Sequence, residues 1–88
     1  MSTLHLIFSL GGLRAARARV TAADTVLLIA DGTYAADGNA LMTCQAIYAL
    51  AEDLQTRGIP PHKSITVVDY AGMVELTTRH QPVVSWRE

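Results

Sequence analysis

A single cysteine, Cys44, stands in 88 residues, so no internal disulfide can staple the fold, and the other soft ligands are spaced too irregularly to mark a metal cluster. Any sulfur chemistry rests on that thiol or on another protein. Aromatic residues make up only 6% of the chain although 50% of it is hydrophobic, so the core must be built of Leu, Ile, Val and Ala. A domain of this length buries only about 60–65% of the surface its unfolded chain exposes, and such a thin core suits a subunit better than a self-sufficient monomer. A charge excess of either sign is lacking too. Seven Lys and Arg face eight Asp and Glu for a net charge of −1, which argues against direct binding of nucleic acid. No apolar run approaches the roughly 18–20 residues that cross a bilayer, and MSTLHLIF has neither the basic start nor the long apolar stretch of an export signal. The expected location is the cytoplasm, with no membrane contact.

No repeat, low-complexity stretch or linker interrupts the chain, so residues 1–88 read as one domain. Short apolar runs bounded by polar residues or glycine fall at residues 4–8, 25–30, 45–50 and 65–69, as expected of strands covered on both faces of a parallel sheet. Val83–Trp86 follows Pro82 and suits an edge strand. Helical spacing joins Leu10, Leu13, Ala16 and Val20, with Arg14 and Arg17 on another side, so residues 10–20 form a first helix. A short second helix is placed at residues 36–43. Ala51–Arg57 has Glu52 and Asp53 early, Arg57 late, Gly58 just beyond and Pro60-Pro61 after that, a consistent set of start and stop signals. Asp69 can cap a fourth helix that ends before Pro82. The order βαβαβαβαβ predicts an α/β fold, a three-layer α/β/α sandwich on a mostly parallel sheet of four to five strands.

In such sheets ligands and reactive groups gather at the carboxyl ends of the strands, which brings residues 9–12, 31–39, 50–51 and 69–72 to one rim. The stretch VLLIADGTYAADGN runs from a strand into a loop with two Asp-Gly pairs. A phosphate cradle wants glycine amides free of carboxylates, yet Asp31 and Asp37 occupy the place of the anion. A hard metal would need more oxygen ligands than the stretch offers. No cofactor or metal is therefore expected, and the simplest reading is a turn with Gly32 and Gly38 at positive φ and the aspartates capping. Cys44 lies just before the third strand, at the opposite rim, with no Lys, Arg or His within ten residues to lower its pKa, so it reads as a small apolar residue. His5 reads as a strand residue meeting a polar group or a partner, His62 as a solvated loop residue, and His80 as a helix end favoured by the dipole. The arginines of LRAARARV read as a solvated face or one that meets an acidic partner.

Taken together, LHLIF at the N-terminus, LLIADGTYAADGN, IYALAEDLQTRGI and VVDYAGMVELTTRHQPVVSW resemble the TusB/DsrH family, the small subunits of sulfur-relay complexes of the DsrEFH type. The resemblance covers nearly the whole chain in order, and YAL-x-EDL-x-x-RG is among its most specific parts. It implies assembly with TusC-like and TusD-like paralogues into a dimer of heterotrimers. There sulfur would travel as a protein-bound persulfide from a TusA-like protein to TusD, then to a TusE-like protein, and finally to the enzyme that makes 2-thiouridine at the tRNA wobble position. The related DsrEFH complexes serve dissimilatory sulfur oxidation instead.

In the family the catalytic subunit carries its persulfide cysteine just after the third strand, where this chain has Leu50 and Ala51. Some DsrH members have a cysteine in the first helical region, and residues 10–20 contain none. The SLGGL turn also departs from the family pattern. The resemblance thus implies a non-catalytic structural subunit whose Asp-Gly loop, with Asp31, Gly32, Tyr34, Asp37 and Gly38, serves assembly, and for which Tyr34, Tyr70 and Trp86 are candidate interface anchors. The competing readings are a persulfide carrier using Cys44 and a small-molecule-binding domain using the Asp-Gly loop.

Overall fold

The computed structural model describes residues 2–38, 44 and 46–87. Five strands, β1 (Leu4–Ile7), β2 (Thr25–Leu28), β3 (Ala46–Leu50), β4 (Thr66–Val68) and β5 (Val83–Trp86), form one sheet in the order β4-β3-β2-β1-β5. Every pairing is parallel, so the expected mostly parallel sheet is wholly parallel, and Val83–Trp86 is an edge strand as its preceding proline suggested.

Helices α1 (Leu10–Ala16) and α2 (Ala51–Arg57), with a 3₁₀ segment over Ala30–Asp37 between them, cover one face. There Leu13, Ala16, Ala35, Ala36 and Leu54 pack on Ile7, Val26, Leu28, Ile47 and Ala49 of the strands. Helix α3 (Tyr70–Arg79) covers the other face, its Leu76 packing with Leu4, Leu27, Ile29 and Leu50. This is the three-layer sandwich. Its sidedness follows from the strand order: the first three right-handed crossovers step the same way across the sheet, while the last returns from one edge to the other.

Local chemistry explains most boundaries. Ser9 caps α1 by accepting the Gly12 N–H at 2.9 Å, and Asp69 caps α3 by accepting the Gly72 N–H at 2.8 Å. Gly58 ends α2 in the left-handed conformation at φ 63°, the role its position after Arg57 predicted. Two elements differ from expectation. The first helix stops at Ala16 instead of Val20, because the chain closes into turns in which Arg19 and Val20 donate to Ala16 O and Asp24 takes the Thr21 N–H at 3.0 Å. The second helix begins at Ala30, directly after the strand, and is of the 3₁₀ type; residues 39–43 of the predicted span 36–43, and Gln45 at the predicted start of the third strand, lie outside the described residues.

Candidate functional site

The carboxyl ends of the strands do gather loops into one rim, and the start of the Asp-Gly stretch, Ala30 and Asp31, lies in it. The 3₁₀ segment then runs back toward the amino end of β3, where Ala36 O accepts the His62 N–H at 2.7 Å in the loop before β4. Ile29 donates to the carbonyl of Ile7 at 3.0 Å, and Ala30 then turns into the left-handed region at φ 50°. The first exposed N–H of the 3₁₀ segment, that of Ala30, finds its acceptor across the fold in Asp53 Oδ2 of α2, at 2.6 Å. This is a helix cap supplied by another element, needed because the residue in the capping position is Ile29, which has no side-chain acceptor. Asp31 does not cap. Its Oδ1 accepts from Arg57 Nε at 3.1 Å and Nη2 at 2.9 Å, and the same guanidinium lies 5.7 Å from the centre of the Tyr34 ring. The hydrogen bonds that Arg57 donates to Asp31, and the charge of that carboxylate, hold Arg57 more firmly protonated. Asp31 is exposed and the ion pair is screened by water, so it shapes the surface more than it stabilises the fold.

The sequence-derived candidates divide accordingly. Asp31, Tyr34, Asp37 and Tyr70 are exposed, with Tyr34 at 48% and Tyr70 at 53% of their full accessibility. Gly38 has the expected positive φ, 127°, but Gly32 does not: it is a buried helical residue pressed on β1, and Ala30 makes the left-handed turn in its place. Trp86 is half-buried, stacked on His5 at 6.1 Å between ring centres and donating its indole N–H to His5 Nδ1 at 3.0 Å. Asp53 and Arg57, which organise the rim loop, were visible in the sequence only as helix-end charges.

Cys44 sits before β3, at the opposite rim from Ala30 and Asp31. It is half-buried, packs against the core and points its thiol at Ala46 O, 3.7 Å away. Burial pushes the thiol pKa up, and the negative charge of Asp24 adds to this while the bond to Ala46 O opposes it, so at neutral pH the group is a thiol and not a nucleophilic thiolate. The carboxyl end of β3 is the buried Leu50, followed by Ala51 with Glu52 and Asp53 in the first turn of α2. His62 is half-buried, its Nδ1 accepting the Ser64 N–H, while His80 ends α3 with Nδ1 on Leu76 O and Nε2 on Thr25 Oγ1. Among the described residues no group of three or more His, Cys, Asp or Glu is arranged to hold a metal, and no helix is long and apolar enough to cross a membrane.

The fold and its rim define a small α/β/α protein with a wholly parallel sheet that presents an Asp31–Arg57 ion pair and the exposed rings of Tyr34 and Tyr70. Residues 8–83 match the DsrH-like protein family. The chain is 43% identical over 77 residues to Protein TusB of Serratia proteamaculans, covering 77% of this chain and 81% of that one. It is 39% identical over 71 residues to Protein TusB of Photorhabdus laumondii, covering 72% and 75%. Against Protein TusB of Escherichia coli K12 the identity is 34% over 94 aligned positions, covering 98% and 99%. The chain belongs to the DsrH-like family.

Proposed function

We propose that this chain is the non-catalytic TusB-type subunit of a cytoplasmic sulfur-relay complex that delivers persulfide sulfur toward 2-thiouridine in tRNA. Its partners are TusC-like and TusD-like paralogues in a dimer of heterotrimers, and TusA-like and TusE-like proteins meet the assembled complex. The observation that carries the non-catalytic role is the contrast between the two ends of β3. The carboxyl end, on the rim, holds Leu50 and Ala51, while the thiol of Cys44 lies beyond the amino end with its pKa raised. A persulfide relay needs an accessible thiolate, and this site supplies none. The TusB relatives favour tRNA thiolation over sulfur oxidation. Asp31 and Tyr34 of the Asp-Gly loop, Asp37 at the far end of that 3₁₀ segment, Tyr70 at the start of α3 and Trp86 on the edge strand are the groups assigned to assembly, with Gly32 and Gly38 shaping the backbone of the loop.

The test is the intact mass of the affinity-purified complex under non-denaturing conditions. Two copies each of this chain and of two similar-sized partners, with added sulfur only on a partner, is the expected result. An isolated chain carrying extra sulfur on Cys44 would overturn it. Asp31→Ala is expected to weaken the complex while leaving the melting temperature of the chain nearly unchanged, because an exposed ion pair adds little stability. In cells, Cys44→Ala should leave the 2-thiouridine content of tRNA at the parental level, and alkylation of Cys44 at neutral pH should run slower than that of free cysteine. Rapid labelling with loss of thiolation would transfer the chemistry to this subunit.

A further inference from the structure

A chain of hydrogen bonds lies inside the fold on the side away from α3, and the relay role makes no use of it. The indole N–H of Trp86 can only donate, so the Nδ1 of His5 that receives it must be bare. The imidazole is then the tautomer with its proton on Nε2, which points at Asp24 Oδ2, 3.0 Å away. His5 is 4% exposed and Asp24 7%. Asp24 also accepts the backbone N–H groups of Thr3 at 3.1 Å and Thr21 at 3.0 Å, so both ring nitrogens and the carboxylate are fully occupied. A second proton on His5 can go only to Nδ1, where it would confront the indole N–H, donor against donor. The Asp24 carboxylate attracts that proton, while the Trp86 bond must break to admit it.

What would be loosened is β5. It is the edge strand, paired with β1 alone. Beyond the ladder it is held by the stacking of Trp86 on His5, by Phe8 N–H donating to Trp86 O at 3.0 Å, and by Arg87, whose guanidinium lies 4.2 Å from the centre of the Phe8 ring. Among the described residues, few ionisable groups are turned toward His5. The turn before β2 supplies Asp24, and Cys44 before β3 lies close enough to feel the Asp24 charge. Helix α1 turns Leu13 and Ala16 inward and leaves Arg14 exposed, and β5 offers Trp86, which does not titrate.

We propose that His5 is a proton-operated latch on the C-terminal strand: the neutral imidazole holds Trp86 and β5 against the sheet, and protonation releases the indole and loosens the strand and the adjoining rim at Phe8 and Ser9. The latch couples the rim to a proton bound inside the fold.

Trp86 is the sole tryptophan of the chain, so its fluorescence reports the latch directly. The 88-residue chain is titrated from about pH 8 to pH 5, the interval in which histidine changes charge, following indole emission, quenching by acrylamide and the exchange of β5 amide protons corrected for intrinsic rate. The expected result is a red shift and about a five-fold loss of β5 protection, the factor one net hydrogen bond supplies. In His5→Gln, whose amide can accept from Trp86 and donate to Asp24 without titrating, the transition should vanish, and His62→Gln and His80→Gln should keep it. A transition that persists in His5→Gln, or its absence from the parent chain, overturns the proposal. If His5→Gln does not fold, Trp86→Phe followed by β5 amide exchange decides: with no indole donor the pH step must disappear, and its survival overturns the latch equally.

Discussion

The Gly32→Ala variant is expected to melt at least ~12 °C below the parent chain, the shift that about 3 kcal/mol produces in a domain of this size. The reason is a backbone contact. A Cβ at position 32 would stand 2.1 Å from the carbonyl oxygen of Ile7 and 2.9 Å from its carbon. No side-chain rotation relieves this clash, because the obstacle is the end of β1. That same carbonyl accepts the Ile29 N–H, so pushing the 3₁₀ segment away would break the bond that carries β2 into it. The control is Gly58→Ala. Gly58 sits at φ 63° with open space where its Cβ would be, so it should lose only about 1–2 kcal/mol, the conformational cost of a left-handed alanine. Thermal unfolding of the three proteins tests the argument, and equal losses at positions 32 and 58 would refute the steric account.

The second large effect belongs to Asp24. Removing its carboxylate in Asp24→Ala strands two backbone N–H groups and the imidazole N–H of His5 in a buried place. An orphaned buried donor costs about 1–3 kcal/mol, and part of the penalty will be relieved by water entering the gap. A net loss of about 3–4 kcal/mol is expected from urea unfolding at pH 7, against a total stability for small domains of roughly 5–15 kcal/mol. The pH dependence distinguishes this mechanism from simple loss of packing. Burial by itself would raise the pKa of Asp24, but the backbone bond from Thr21 and the bonds from His5, Thr3 and the Thr21 hydroxyl together outweigh it and hold the pKa at about 2, below its ordinary 3.8. The folded state therefore binds this proton less readily than the unfolded state. The stabilisation is fully present above the unfolded value and is lost as pH falls from about 4 to about 2, amounting to about 2 kcal/mol. Asp24→Ala should lack that part of the acid dependence. An unchanged slope between pH 4 and pH 2 in the variant would show that other carboxylates cause it.

Both predictions concern residues that carry no signal in the sequence beyond being a glycine in a turn and an aspartate before a strand. Asp24 stands 19 residues from His5, and His5 lies 81 residues from Trp86. No periodicity reports such pairs, because they are created when β1 is sandwiched between β2 and β5. The rim loop was legible as a turn at the carboxyl edge, yet its electrostatics were not. Asp31 draws its partner from 26 residues away at the end of α2, and the cap on Ala30 comes from Asp53. These contacts also explain why the span expected to turn at glycine turns at Ala30 instead: Gly32 was required for close approach to Ile7, a need that only the packed structure expresses.

The amino-acid sequence by itself determined the elements whose limits are set by near neighbours. Ala51–Arg57, bounded by acids and Gly58, and Val83–Trp86, introduced by Pro82, have the limits their local chemistry dictates. It also determined the α/β class, since alternating short apolar strands and amphipathic helices can bury their apolar sides only in layers. Tertiary structure alone decided the strand order β4-β3-β2-β1-β5, the 3₁₀ start at Ala30 and the tautomer of His5. The end of α1 follows from a local turn closed by Asp24 that the apolar spacing does not report; the others depend on a donor meeting an acceptor distant in the chain, and such a pairing exists only after the sheet has brought the two together.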